Sequence, residues 1–132
     1  EAREPLSLVI LDLDDLKALN DRHGHANGDD CLVRIGSLLK TELRPGDQAF
    51  RIGGDEFAVL LTGADEEAAK GVATRFSEAL ERSGRSSMLR VEASFGIAER
   101  GPGMESPDEL LREADEAMYR AKNRRKLARA TG

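Results

Sequence analysis

The chain has 132 residues, 39% of them hydrophobic and 34% charged, and carries a formal net charge of −5. That length fits one domain with a real core, and no apolar run is long enough to span a membrane. The acidic balance argues against a general nucleic-acid binder, which needs a basic face, but not against a nucleotide, because a divalent cation inverts the local sign.

Glu1, Arg3 and Glu4 come directly before an apolar run, so no secretory leader is expected. Leu6 to Leu13 is nearly continuous in apolar residues and predicts a central strand, ending in Asp12-Leu13-Asp14-Asp15. A short helical piece with Leu16 and Leu19 follows, then a polar loop from Asp21 to Gly28. Leu32, Ile35, Leu39 and Leu43 stand at helical spacing, and Pro45-Gly46 stops that helix. Cys31 has no partner for an internal disulfide and reads as a small core residue, consistent with a reducing cytoplasm. Gln48 to Ile52 and Phe57 to Leu61 read as a strand pair closed by Gly53-Gly54, a tight turn in which positive φ costs glycine little. Ala68, Val72, Phe76, Ala79 and Leu80 mark a second long helix, ending before Gly84. Strict alternation makes Met88 to Ala98 the clearest strand. Ser106-Pro107-Asp108-Glu109 opens the last helix as a capping box, and the basic stretch from residue 124 to 132 is expected to fray. The order predicts an α+β fold: a ferredoxin-like βαββαβ palm with one mainly antiparallel sheet covered by helices, in a single domain over residues 1–132.

Two adjacent acids, Asp55 and Glu56, stand at the mouth of the second hairpin strand, which a solvated Gly-Gly-Asp turn does not require. If the first strand neighbours the hairpin, Asp12 and Asp55 converge at one sheet edge. With a backbone carbonyl such as that of Leu13 they form a hard oxygen site suited to Mg²⁺, completed by water and phosphates. The alternative for Asp12 is a strand-end residue that caps the following helix, and that helix-start role is the favoured reading for Asp14 and Asp15. His23 and His25, without Cys partners, make a weak case for a transition-metal site.

The stretch Asp12-Leu13-Asp14-Asp15-Leu16-Lys17-Ala18-Leu19-Asn20-Asp21, followed by Gly24-His25-Ala26-Asn27-Gly28-Asp29, resembles the first motif block of the GGDEF family of diguanylate cyclases. Gly53 to Phe57 matches the motif that names the family, Ser94-Phe95-Gly96 its Ser-x-Gly strand, and Ala114 to Lys122 its last helix. The resemblance implies a nucleotidyl cyclase-like palm that condenses two GTP into cyclic di-GMP and two pyrophosphates. Asp12, the Leu13 carbonyl and Asp55 would hold Mg²⁺ or Mn²⁺, and Glu56 would assist metal binding or activation of the ribose 3′-hydroxyl. Gly53 and Gly54 would admit the α-phosphate, and Lys17 and Lys122 would touch the terminal phosphates. Asn20 and Asp29 would read guanine, whose two N–H groups a carboxylate can accept. Taken alone, Asp29 also suits a helix N-cap, Asn20 a turn, and the lysines a solvated surface. Arg44-Pro45-Gly46-Asp47 matches the family's inhibitory product site, with Arg75 as an addition, although the same residues suit a helix C-terminus.

The resemblance further implies a bacterial, cytoplasmic enzyme that works as a homodimer, one GTP per protomer, under an upstream sensory or regulatory domain, with no nucleic acid and no membrane contact. The alternative is a catalytically weak module that binds GTP or cyclic di-GMP. Three departures bear on that choice: the family's N-terminal segment is missing, Asp15 and Leu16 stand where His or an aromatic residue and Phe are usual, and Arg125-Lys126-Leu127 replaces Gly-Arg-Asn.

Overall fold

Strand β1 (Leu6–Asp14) occupies the middle of an antiparallel sheet in which β2 (Gln48–Arg51), β3 (Glu56–Thr62) and β4 (Glu92–Glu99) take the order β2-β3-β1-β4. The computed structural model of the protein describes residues 4–14, 25–87, 92–104 and 106–131, and their side chains outside 25–31, 84–87 and 129–131. Three helices complete the described fold: α1 (His25–Thr41), α2 (Glu66–Ser87) and α3 (Pro107–Thr131). None is long and apolar enough to cross a membrane.

The alternation of β1 builds two cores. Val9, Leu11 and Leu13 pack with Leu32, Ile35 and Leu39 of α1 and Val72, Phe76 and Leu80 of α2. Leu8 and Ile10, on the other face, pack with Ala58, Ala98 and the α3 residues Leu110, Ala114 and Met118. Each fully buried Leu, Ile, Val or Phe contributes roughly 1.5–3 kcal/mol, so the sandwich of helices on both faces is what holds β1 in place.

At Gly96 of β4 an added Cβ would lie 2.0 Å from the Ala114 carbonyl oxygen and 2.2 Å from the Met118 nitrogen. The backbone of α3 therefore rests directly on the strand, and only glycine leaves it room. This seat sets the height of α3 above the sheet.

The βαββαβ palm expected from the sequence is the observed one. Several boundaries differ. α1 begins at His25, inside the expected Asp21–Gly28 loop, and ends at Thr41, with Leu43 beyond the helix yet still packed against the core. α2 runs through Gly84 to Ser87. A glycine costs a helix interior about 1 kcal/mol, too little to stop one already propagating. The basic stretch expected to fray continues α3 to Thr131; Arg125 fastens it to the sheet, as described below. The short helical piece with Leu16 and Leu19, and residues 88–91 of the expected last strand, lie outside the described residues.

Candidate functional site

Asp12 and Asp14 continue the α3-facing row of β1 and are buried, at 7% and 8% exposure. Asp12 lies opposite Glu56 on β3 and Ser94 on β4. One residue on, the Leu13 N–H donates to the Asp55 carbonyl at 3.0 Å, which ties the hairpin tip to the end of β1. The convergence of Asp12 and Asp55 expected from the sequence is thus present, with Glu56 beside them.

Lys122 of α3 completes the cluster. Its Nζ donates to Asp12 Oδ2 at 2.7 Å, while Asp12 Oδ1 is buried with no hydrogen-bond partner. The pKa of Asp55 is raised, by burial first and by the Asp12 charge second, against the pull of Lys122. Glu56 is raised too, by burial and then by Asp12, Asp115 and Asp55. For Lys122 burial acts downward, but its bond to Asp12 and the charges of Asp12, Asp14 and Asp55 outweigh it and hold the ammonium form.

The edge thus gathers Asp55 and Glu56, both with raised pKa values, around an Asp12 oxygen that has no hydrogen-bond partner. No cage of three or more His, Cys, Asp or Glu side chains exists among the described residues. What the edge offers is Asp12 with an unsatisfied oxygen, Asp55, and the Leu13 carbonyl, which accepts nothing from the hairpin. A few hard oxygens with room for water and phosphate fit Mg²⁺ or Mn²⁺ better than a closed protein cage would.

The hairpin glycines are not there for their backbone angles. Positive φ occurs at Gly46, Gly63 and Gly103, not at Gly53 or Gly54, which corrects the expectation of a positive-φ turn. A Cβ on Gly54 would meet nothing within 4 Å, and one on Gly53 would make an ordinary 3.5 Å contact with Glu56. The fold would accept side chains at both, and without them the space above the hairpin stays clear. Arg51, which no motif in the sequence marks, fixes the turn: Nε donates to the Gly53 carbonyl at 3.2 Å and Nη2 to the Gly54 carbonyl at 2.9 Å. Its signal is an arginine two residues before a glycine pair whose carbonyls lie outside the strands.

Asp29 lies well inside α1, past the first-turn position that an N-cap takes, so that bland reading no longer competes. Lys17, Asn20 and His23 lie outside the described residues, as do the side chains of His25 and Asp29. Arg44 and Asp47 are brought together: the Arg44 N–H donates to Asp47 Oδ2 at 3.0 Å, and the Arg44 Nε lies 4.0 Å from that oxygen. The Asp47 carboxylate is thereby engaged in closing its own turn. Among the described residues no hydrogen bond or ion pair joins Arg75 to either of them; its guanidinium lies near Gly71 of the same helix.

The sequence profile of the family described as "Diguanylate cyclase, GGDEF domain" matches residues 1–127. The diguanylate cyclase DgcS of Shewanella oneidensis is 40% identical over 117 residues, 89% of this chain and 39% of that protein. The diguanylate cyclase TpbB of Pseudomonas aeruginosa is 38% identical over 133 residues, covering 98% of this chain and 31% of its own length. The chain therefore spans less than half the length of these relatives. Among solved structures, the active GGEEF domain of a diguanylate cyclase from Vibrio cholerae superposes with a TM-score of 0.87 at 26% identity, covering 92% of this chain and 79% of that one. The GGDEF domain of DgcB from Caulobacter crescentus, in complex with c-di-GMP, superposes at 0.81 with 29% identity, over 90% of this chain and 72% of that one.

Proposed function

Because the chain belongs to the GGDEF family of diguanylate cyclase domains, we propose that it condenses two GTP into cyclic di-GMP, releasing two pyrophosphates, in a homodimer with one GTP on each protomer. The observation that carries this reading is Asp12 Oδ1, buried and unpartnered beside Asp55 and below an open glycine hairpin. Asp12, the Leu13 carbonyl and Asp55 would hold Mg²⁺ or Mn²⁺. That ion would supply neutralisation of phosphate charge and polarisation of the attacking hydroxyl, the main demands of phosphoryl transfer. Glu56 would accept the proton of the ribose 3′-hydroxyl or support the metal. Gly53 and Gly54 admit the α-phosphate, and Lys122, with Lys17, takes the terminal phosphates. Asn20 and Asp29 select guanine, because a carboxylate pairs with two N–H groups that adenine does not present.

A monomer carries half of the site, since each 3′-hydroxyl attacks the α-phosphate held by the other copy. Arg44 and Asp47 form the product-inhibitory site, with Arg75 from α2 joining when product binds. In the full-length protein an upstream sensory or regulatory domain controls the pairing, and GTP as substrate places the reaction in the cytoplasm. The test is chromatography of the products formed from GTP with Mg²⁺ or Mn²⁺ by protein at rising concentration. Cyclic di-GMP whose rate grows faster than linearly with protein supports the reading. No product even when a fused coiled coil forces pairing, together with retained nucleotide binding, would identify the chain as a binding module instead.

A further inference from the structure

The charged cluster holds groups that the proposed reaction does not use. Ser94, at 1% exposure, donates Oγ toward both carboxylate oxygens of Asp14, each at 3.1 Å. Arg125 reaches the same carboxylate, with Nη1 3.3 Å from Oδ2. It also donates Nη1 to the Ala93 carbonyl and Nη2 to Glu92 Oε2, the latter at 2.6 Å. One guanidinium of α3 thus grips the last residue of β1 and the first two of β4.

The carbonyl it takes is an edge carbonyl. The Arg100 N–H donates to the Leu6 carbonyl, so the pairs Leu6–Arg100, Leu8–Ala98, Ile10–Gly96 and Asp12–Ser94 are the hydrogen-bonded ones, and Ala93 turns its carbonyl away from β1. A fork of rigid, permanently charged donors suits this mixture of carboxylates and carbonyl in a way a lysine does not.

Lys122 sits between two fixed points of α3. Four residues before it, Met118 rests on the Gly96 seat. Three residues after it, about 4.5 Å along the axis and on nearly the same face, Arg125 is fastened to the sheet. A small roll or slide of the helix end carries Nζ out of reach of Asp12.

We infer that Arg125 is a positioning residue: through Asp14, Ala93 and Glu92 it sets where Lys122 stands over the nucleotide's phosphates. This rests on the reading that Lys122 serves those phosphates.

The test is a double-variant cycle with R125A, K122A and the pair, read as KM for GTP, kcat and melting temperature. R125A raises KM roughly 3- to 10-fold with a smaller change in kcat, and adds nothing to KM once Lys122 is alanine, while lowering the melting temperature in both backgrounds. R125K restores part of the loss. An unchanged KM in R125A, or effects that multiply in the double variant, overturn the proposal. Should R125A not fold, E92A removes one contact of the grip; it gives a smaller KM rise, and an unchanged KM counts against the proposal. A wild type without turnover or GTP binding refutes the function instead. The placement claim is then decided by a crystal structure of R125A, or of E92A if needed. Lys122 Nζ beyond about 3.5 Å from Asp12 Oδ2 supports it, and a preserved contact overturns it.

Discussion

Along β1, the row facing α1 and α2 stays apolar to its end, through Val9, Leu11 and Leu13, whereas the row facing α3 changes from Leu8 and Ile10 to Asp12 and Asp14. Both rows are buried, so exclusion from water does not separate them. Partners do: Leu11 and Leu13 meet Phe76 and Ile35, while Asp12 and Asp14 meet Lys122, Ser94 and Arg125. Stability resides mainly in the apolar row, because buried ion pairs return little beyond their desolvation cost. The acidic row uses that rigidity to hold like charges close together.

The two rows therefore respond differently to substitution. The largest effect falls on chemistry. Asp12→Asn keeps the shape but removes the charge, and product formation falls on the order of 10²–10³-fold while the protein stays folded by circular dichroism. Turnover that survives would remove Asp12 from the metal site. On the opposite row Leu11→Ala costs about 2–5 kcal/mol in urea unfolding, and the protein that remains folded keeps its affinity for metal and nucleotide. Gly96→Ala acts on the α3 side yet affects stability and the site together: overpacking against Ala114 and Met118 costs about 1–3 kcal/mol and lifts α3, so KM for GTP rises along with the loss of stability.

The smallest effect is one of pH. Asp55 and Glu56 have raised pKa values in the folded protein, so their contribution to stability is present below the unfolded carboxylate range and is lost as pH rises through the folded values. In metal-free protein Asp55→Asn should then melt slightly higher than wild type near neutral pH, with the gap closing on acidification below about 4. A gap that widens on acidification contradicts the repulsion inferred between Asp12 and Asp55.

Much of this was legible from residue order. The nearly continuous apolar run of β1 marked it as the central strand, and its place beside the hairpin gave the meeting of Asp12 with Asp55. Asp29 was ambiguous until the start of α1 at His25 carried it past the cap position. The glycine pair suggests a positive-φ turn, whereas the structure has ordinary φ there and open space above Gly54, which no local pattern records. Asp14 looked like the start of a helix because its partners, Ser94 and Arg125, lie 80 and 111 residues away and meet it only through the pairing of β1 with β4 and the crossing of α3 over the sheet. Arg125 itself followed from no spacing rule.

The central claim is that the acidic row and the hairpin hold a divalent cation with the nucleotide. It is tested most directly by Mn²⁺ titration followed by electron paramagnetic resonance in the presence of GTP. Binding in the wild type that weakens at least about tenfold in both Asp12→Asn and Asp55→Asn is the expected result. Equal Mn²⁺ affinity in all three proteins would contradict it.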